Sequence, residues 1–230
     1  MIRESSTINR LLWLNTVVLL FTVSGCFAPV NLTYDNARML KKNEMKVQAG
    51  ISNYYGPRID LSDNDLVANN IHYTTNYGIQ VAYGLASKIN LGIRYEYMDI
   101  KRQQADILFK SLDMKNTTLH YVELGCKIKL YENKLSLVVP FGVYFWEGES
   151  FSMIDPRIYY TFRSSDIFEF TVATKAHILI ADGVGFAPGF SLGMGISNNP
   201  DRWAFRPEIG FDGCMSFGFG IDYRFNRPRQ

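Results

Sequence analysis

Three histidines and the carboxylates near them are the residues of this 230-residue chain best suited to chemistry. His72 follows Asp63 and Asp65 in a polar stretch, His120 has apolar neighbours, and His177 lies on an alternating segment with Asp155 upstream. A histidine oriented by a carboxylate and set beside a hydroxyl activates a nucleophile or a water. No Ser-His or Asp-His spacing of that kind is visible, so no catalytic residue and no enzymatic activity are expected; His177 and Asp155 are the pair to test. No His/Cys cluster has metal-ligand spacing, and neither metal nor cofactor is expected. The stretch 54–72 carries Asp60, Asp63, Asp65 and three Asn, donors that suit Ca²⁺, but its spacing fits no known calcium loop and a solvated loop is the favoured reading. Cys126 and Cys214 are expected as free thiols, since nothing in the sequence brings them together. A net charge of +2 without an extended basic run gives no footprint for nucleic acid.

The elements that must position these residues are strands. Sixteen Phe, 14 Tyr, 3 Trp and 18 Gly suit β-structure better than helix. From Glu44 onward, segments of roughly ten residues alternate apolar and polar with period two. In the third, Ile89, Leu91, Ile93, Tyr95 and Tyr97 oppose Asn90, Gly92, Arg94 and Glu96; in the last, Met215, Phe217, Phe219, Ile221, Tyr223 and Phe225 oppose Ser216, Gly218, Gly220, Asp222 and Arg224. Strands are predicted near 44–53, 73–85, 88–98, 117–130, 134–146, 151–163, 167–180, 185–197, 203–212 and 215–225. One set of connections is uniformly short. The other includes two long ones, 54–72 and 99–116.

Residues 1–25 read as an export signal, with Arg3 and Arg10 before the apolar run Leu11 to Val23, which is too short to span a bilayer. Val23-Ser24-Gly25-Cys26 then resembles the lipobox of bacterial lipoproteins, with Val23 in place of the commoner Leu. That resemblance implies cleavage before Cys26 and acylation of its thiol and new amine, and two or more chains suffice for stable anchoring. Removal of residues 1–25 takes away Arg3, Glu4 and Arg10 and leaves 205 residues with a formal charge of +1.

Period two alone does not say whether the apolar face meets a core or lipid. The polar face is rich in Gly and small residues, which suits a crowded lumen and makes a poor solvent surface. The apolar face is aliphatic along every strand with aromatic residues toward the ends: Tyr83, Phe162, Phe168, Trp203 and Phe225 at one rim, Tyr73, Tyr97, Phe145 and Phe211 at the other. The expected fold is therefore all-β, a transmembrane antiparallel up-and-down β-barrel of about ten strands. Its strand-turn-strand pattern, as in Gly84 to Gly92, and its ending Ile221-Asp222-Tyr223-Arg224-Phe225 resemble the small outer-membrane β-barrel proteins of Gram-negative bacteria. The resemblance covers about residues 44–225. Two features depart from that family's usual pattern: five residues follow Phe225, and a lipobox is present. It implies that both termini and the tight turns face the periplasm and the long loops the exterior.

The domain reading is a signal peptide 1–25, a lipidated tail 26–43, the barrel 44–225 and a C-terminal tail 226–230. With the apolar face to lipid, Lys46, Arg94, Glu96, Glu123, Lys127, Asp155, Arg157, Lys175, Arg206, Glu208, Asp222 and Arg224 point inward. Their signs are mixed, so they are expected to cross-pair into a plug rather than form a selective ring. Pairs at i, i+2 (Arg94/Glu96, Asp155/Arg157, Arg206/Glu208, Asp222/Arg224) support this. The function expected is a non-enzymatic barrel lipoprotein, anchored at Cys26 in outer-membrane lipid, serving as a structural or accessory subunit that meets other envelope proteins through loops 54–72 and 99–116. A narrow channel or ligand-binding barrel, a barrel enzyme acting on lipid or peptide, and a soluble lipocalin-like barrel remain the alternatives.

Overall fold

The computed structural model describes residues 32–57, 71–102, 117–146, 149–180, 184–212 and 215–225. The export signal, Cys26, Cys214, the cores of both long loops and the segment 226–230 lie outside them. Eleven strands follow in order: β1 (Met45–Pro57), β2 (Ile71–Ala86), β3 (Ile89–Arg102), β4 (Thr117–Tyr131), β5 (Leu135–Trp146), β6 (Glu149–Ile154), β7 (Arg157–Arg163), β8 (Phe168–Ile180), β9 (Val184–Ile196), β10 (Trp203–Phe211) and β11 (Met215–Phe225).

Every neighbouring pair is antiparallel, and β1 pairs with both β2 and β11, which closes the sheet and leaves no free edge. β6 and β7 are two halves of one strand. Both run between β5 and β8, and the register continues across the break, since Ile154 faces Phe141 and Arg157 faces Val138. The ladder is interrupted because Pro140 and Pro156 have no N–H to donate. The barrel thus has ten strand positions, at the predicted places.

β1 runs on to Pro57, β2 starts at Ile71 and β3 reaches Arg102, so the two long connections are shorter than the expected 54–72 and 99–116. Cross-strand pairing continues there (Gly56 with His72, His72 with Arg102) although the apolar alternation that marks a lipid-facing strand has ended.

Burial alternates along the strands, with apolar residues outward. Ile93, Leu124, Phe141, Ile209, Phe219 and Ile221 are each more than half exposed. Such a belt is not a soluble surface, which removes the soluble-barrel alternative. Tyr83, Phe162, Phe168 and Phe225 are exposed at the tight-turn rim and Phe145 at the loop rim, where aromatic girdles of a spanning barrel belong.

Candidate functional site

The lumen holds residues 32–43, the described part of the expected tail. Asn43 turns the chain out of β1 with φ 67°, a left-handed value that Asn tolerates, and its N–H donates to the Gly84 carbonyl at 2.8 Å. From this rim the segment, followed toward its N-terminal end, climbs inside the barrel. Arg38 sits low, bonded to Asp201 and to the Pro200 carbonyl at 3.2 Å in the β9–β10 turn. The Ala37 N–H donates to Thr161 Oγ1 at 2.8 Å and Asn36 Nδ2 to Glu169 at 2.6 Å. The Tyr34 N–H donates to Glu208 at 2.6 Å, and Leu32 packs beside Gly210, one residue from the loop-side end of β10. The described chain therefore passes from the tight-turn mouth nearly to the loop-bearing one, where the family resemblance implied a tail at the tight-turn side. Partial burial pushes the Asp201 carboxyl up, but the Arg38 guanidinium outweighs it and holds the group below the usual carboxylate range.

Tyr34 is the centre of the plug. Its φ of 48° is strained for a bulky residue and persists only where the surroundings over-determine it. They do so here: its hydroxyl donates to the Ile51 carbonyl at 2.6 Å, and its ring lies on Gly50, Gly218 and Gly220 of β1 and β11. A Cβ on Gly220 would stand 2.7 Å from the ring's Cγ, so the wall must be glycine for the ring to fit.

Around the plug the inward charges form clusters. Arg157 forks between Asp155 (Nε to Oδ2, 2.6 Å) and Glu123 (Nη2 to Oε2, 2.5 Å), Arg94 pairs with Glu96, and Arg94 lies 3.9 Å from Glu123. Lys46 and Lys127 converge on the Asp35 carboxylate at 2.6 and 3.1 Å, and Lys127 also donates to the Asn36 carbonyl. Arg206 joins Asp222 and Glu169, the latter at 2.7 Å, while Lys175 meets Asp212 at 2.9 Å.

All twelve residues proposed for the lumen are buried, but the expected i, i+2 pairs form only at Arg94/Glu96 and Asp155/Arg157. Arg206 turns to Asp222 and Glu169; Glu208 is occupied by the backbone amides of Thr33 and Tyr34; Arg224 has no ion pair among the described residues. Neighbouring strands lie about 4.8 Å apart whereas i and i+2 are separated by nearly 7 Å, so cross-strand and plug partners compete well. Asp35 and Tyr34 were not singled out by the sequence reading, because 32–43 has no period that marks it as structured.

His177 lies between Asp155 (Nδ1 to Oδ1, 3.2 Å) and Asp212 (Nε2 to Oδ1, 3.4 Å), without hydrogen-bond alignment to either. It is buried, and no hydroxyl among the described residues bonds to it. Above it, Tyr121, Tyr144, Met98, Leu119 and Met153 form an apolar cluster, with the two tyrosine rings 4.5 Å apart. His120 faces outward and its Nδ1 meets the Tyr95 hydroxyl at 2.8 Å. His72 lies on β2, but its side chain is outside the described set. Cys126 is a free, half-buried thiol. No group of three His, Cys, Asp or Glu suited to a metal occurs among the described residues.

No family model matches the sequence, and no curated protein matches it. Among solved structures the chain is similar to an outer membrane channel from Pseudomonas putida F1, at 8% identity with a TM-score of 0.50, over 86% of this chain and 100% of that one. It is also similar to the outer membrane protease OmpT of Escherichia coli, at 11% identity and a TM-score of 0.41, over 86% of this chain and 99% of that one. The first likeness establishes the fold as that of a closed antiparallel membrane β-barrel.

Proposed function

We propose that this chain is an outer-membrane lipoprotein, acylated at Cys26, whose barrel is closed by its own N-terminal segment and which acts without catalysis as a structural or accessory subunit of an envelope assembly. The observation that carries the reading is the occupied lumen: residues 32–43 run through it, and the inward charges are largely spent on one another and on the plug. A lumen occupied in this way is blocked along its axis among the described residues, so the barrel's mouths, outer surface and anchor are what it has to work with. The buried His177, flanked by carboxylates and Lys175, fits a structural ion cluster better than a catalytic base.

Planar-bilayer recording tests the reading. The intact protein is expected to give no stepwise conductance in concentrated KCl, and a variant lacking residues 32–43, checked for folding by its mobility in SDS before and after boiling, is expected to conduct. Steady conductance from the intact protein would favour the narrow channel instead. Metabolic labelling with a radioactive fatty acid, lost on Cys26→Ala, tests the anchor, and crosslinking from 54–72 and 99–116 in intact membranes tests the partner.

A further inference from the structure

At the tight-turn mouth, between the plug and the barrel wall, lies a cavity of about 400 Å³. Arg38, Lys41, Lys42, Lys129 and Arg224 line it, against Glu44 and Asp201. Asp201 pairs with Arg38, and Glu44 accepts from the backbone N–H of Lys41 at 2.7 Å. Arg224 makes no ion pair with either among the described residues. The residue is 5% exposed, its Nε is buried without a hydrogen-bond partner among the described residues, and Asp222, two residues away, is bonded to Arg206. Arg224 also lines a second, smaller cavity deeper in the lumen, next to Lys46 and Lys127.

A guanidinium taken out of water without a hydrogen-bonded counter-charge is unfavourable, and Arg94, Arg157 and Arg206 each have one. We infer that the cavity is a binding site for a phosphate-bearing ligand, with Arg224 as the buried anchor and Lys42 and Lys129 as the outer charges. A guanidinium fork matches the oxygens of phosphate in two parallel hydrogen bonds. The volume falls within the range of small-molecule pockets and exceeds a bare phosphate, so the group is carried on a larger molecule, either a lipid headgroup or a soluble phosphate ester.

The full-length protein in phosphatidylcholine nanodiscs provides the test. Inorganic phosphate is titrated by calorimetry, and lipid retention is read by native mass spectrometry after exchange with phosphatidic acid vesicles. Arg224→Gln is expected to weaken binding by about tenfold or more, the loss of one charge-assisted contact. Lys42→Gln, at an exposed position, is expected to cause a smaller loss in the same direction. Phosphate binding that is sensitive to Arg224 identifies the soluble source; retention of phosphatidic acid with the same sensitivity, in the absence of phosphate binding, identifies the lipid. Binding of neither, or equal binding by wild type and both variants, overturns the proposal. If Arg224→Gln does not fold, Lys42→Gln alone decides. Conductance is a separate readout, so failure here is distinguishable from failure of the plug reading.

Discussion

Arg157→Met is expected to lower the stability of the folded barrel by about 3–5 kcal/mol, the usual cost of removing one partner from a buried ion cluster. Among the described residues Arg157 alone bridges Asp155 and Glu123, with its Nη1 adding a third contact to Glu123 at 3.2 Å. Without it two buried carboxylates face each other, and Arg94, 3.9 Å from Glu123 and already paired with Glu96, does not replace the fork. Arg157→Lys is expected to recover only part of the loss, because an ammonium does not reach both carboxylates in a fixed fork. The triple change Arg157→Met, Glu123→Gln, Asp155→Asn removes the charges together and is expected to be milder than Arg157→Met alone. Urea unfolding in lipid vesicles, followed by tryptophan fluorescence, measures all three. Equal stability of Arg157→Met and wild type would mean that the cluster is solvated in the membrane.

Asp35→Ala is the second large effect. Its carboxylate is the shared partner of Lys46 and Lys127, which are both buried, and it sits on the plug rather than the wall. The substitution leaves two like charges facing an empty position, a loss again of about 3–5 kcal/mol, but here it falls on docking of the plug. The barrel wall keeps its closed ladder of backbone hydrogen bonds. The expected phenotype is therefore a folded barrel, still shifted in SDS gels before boiling, that opens intermittently in bilayer recordings and whose segment 32–43 becomes open to protease. Asp35→Glu, which keeps the charge, is expected to behave much more like wild type. A closed, protease-resistant Asp35→Ala barrel would contradict the assignment of that carboxylate as the plug's main tie.

Strands and faces were legible because period two is written residue by residue: Ile89 to Tyr97 and Met215 to Phe225 state both an outward and an inward face, and the structure keeps both. Partners inside were not legible. Arg206 and Glu208 share a face and a strand, yet Arg206 reaches Asp222 on β11 and Glu169 on β8, a choice set by strand order, stagger and the plug together. The segment 32–43 left no periodic trace because it is neither strand nor helix and takes its conformation from the lumen around it. Its one echo in the barrel sequence is the glycine patch: Gly50, Gly218 and Gly220 leave space on adjoining strands that no wall residue fills, and Tyr34 occupies it.

Hydrogen exchange of segment 32–43, read by mass spectrometry on the intact protein in lipid nanodiscs, tests the plugged barrel most directly. The N–H groups of Tyr34 and Ala37 donate to Glu208 and Thr161 inside the lumen. Slow exchange of the peptide spanning these residues, comparable to that of the flanking strands, is the predicted result. Complete exchange within seconds, beside protected strands, would show the segment outside the lumen and contradict the account.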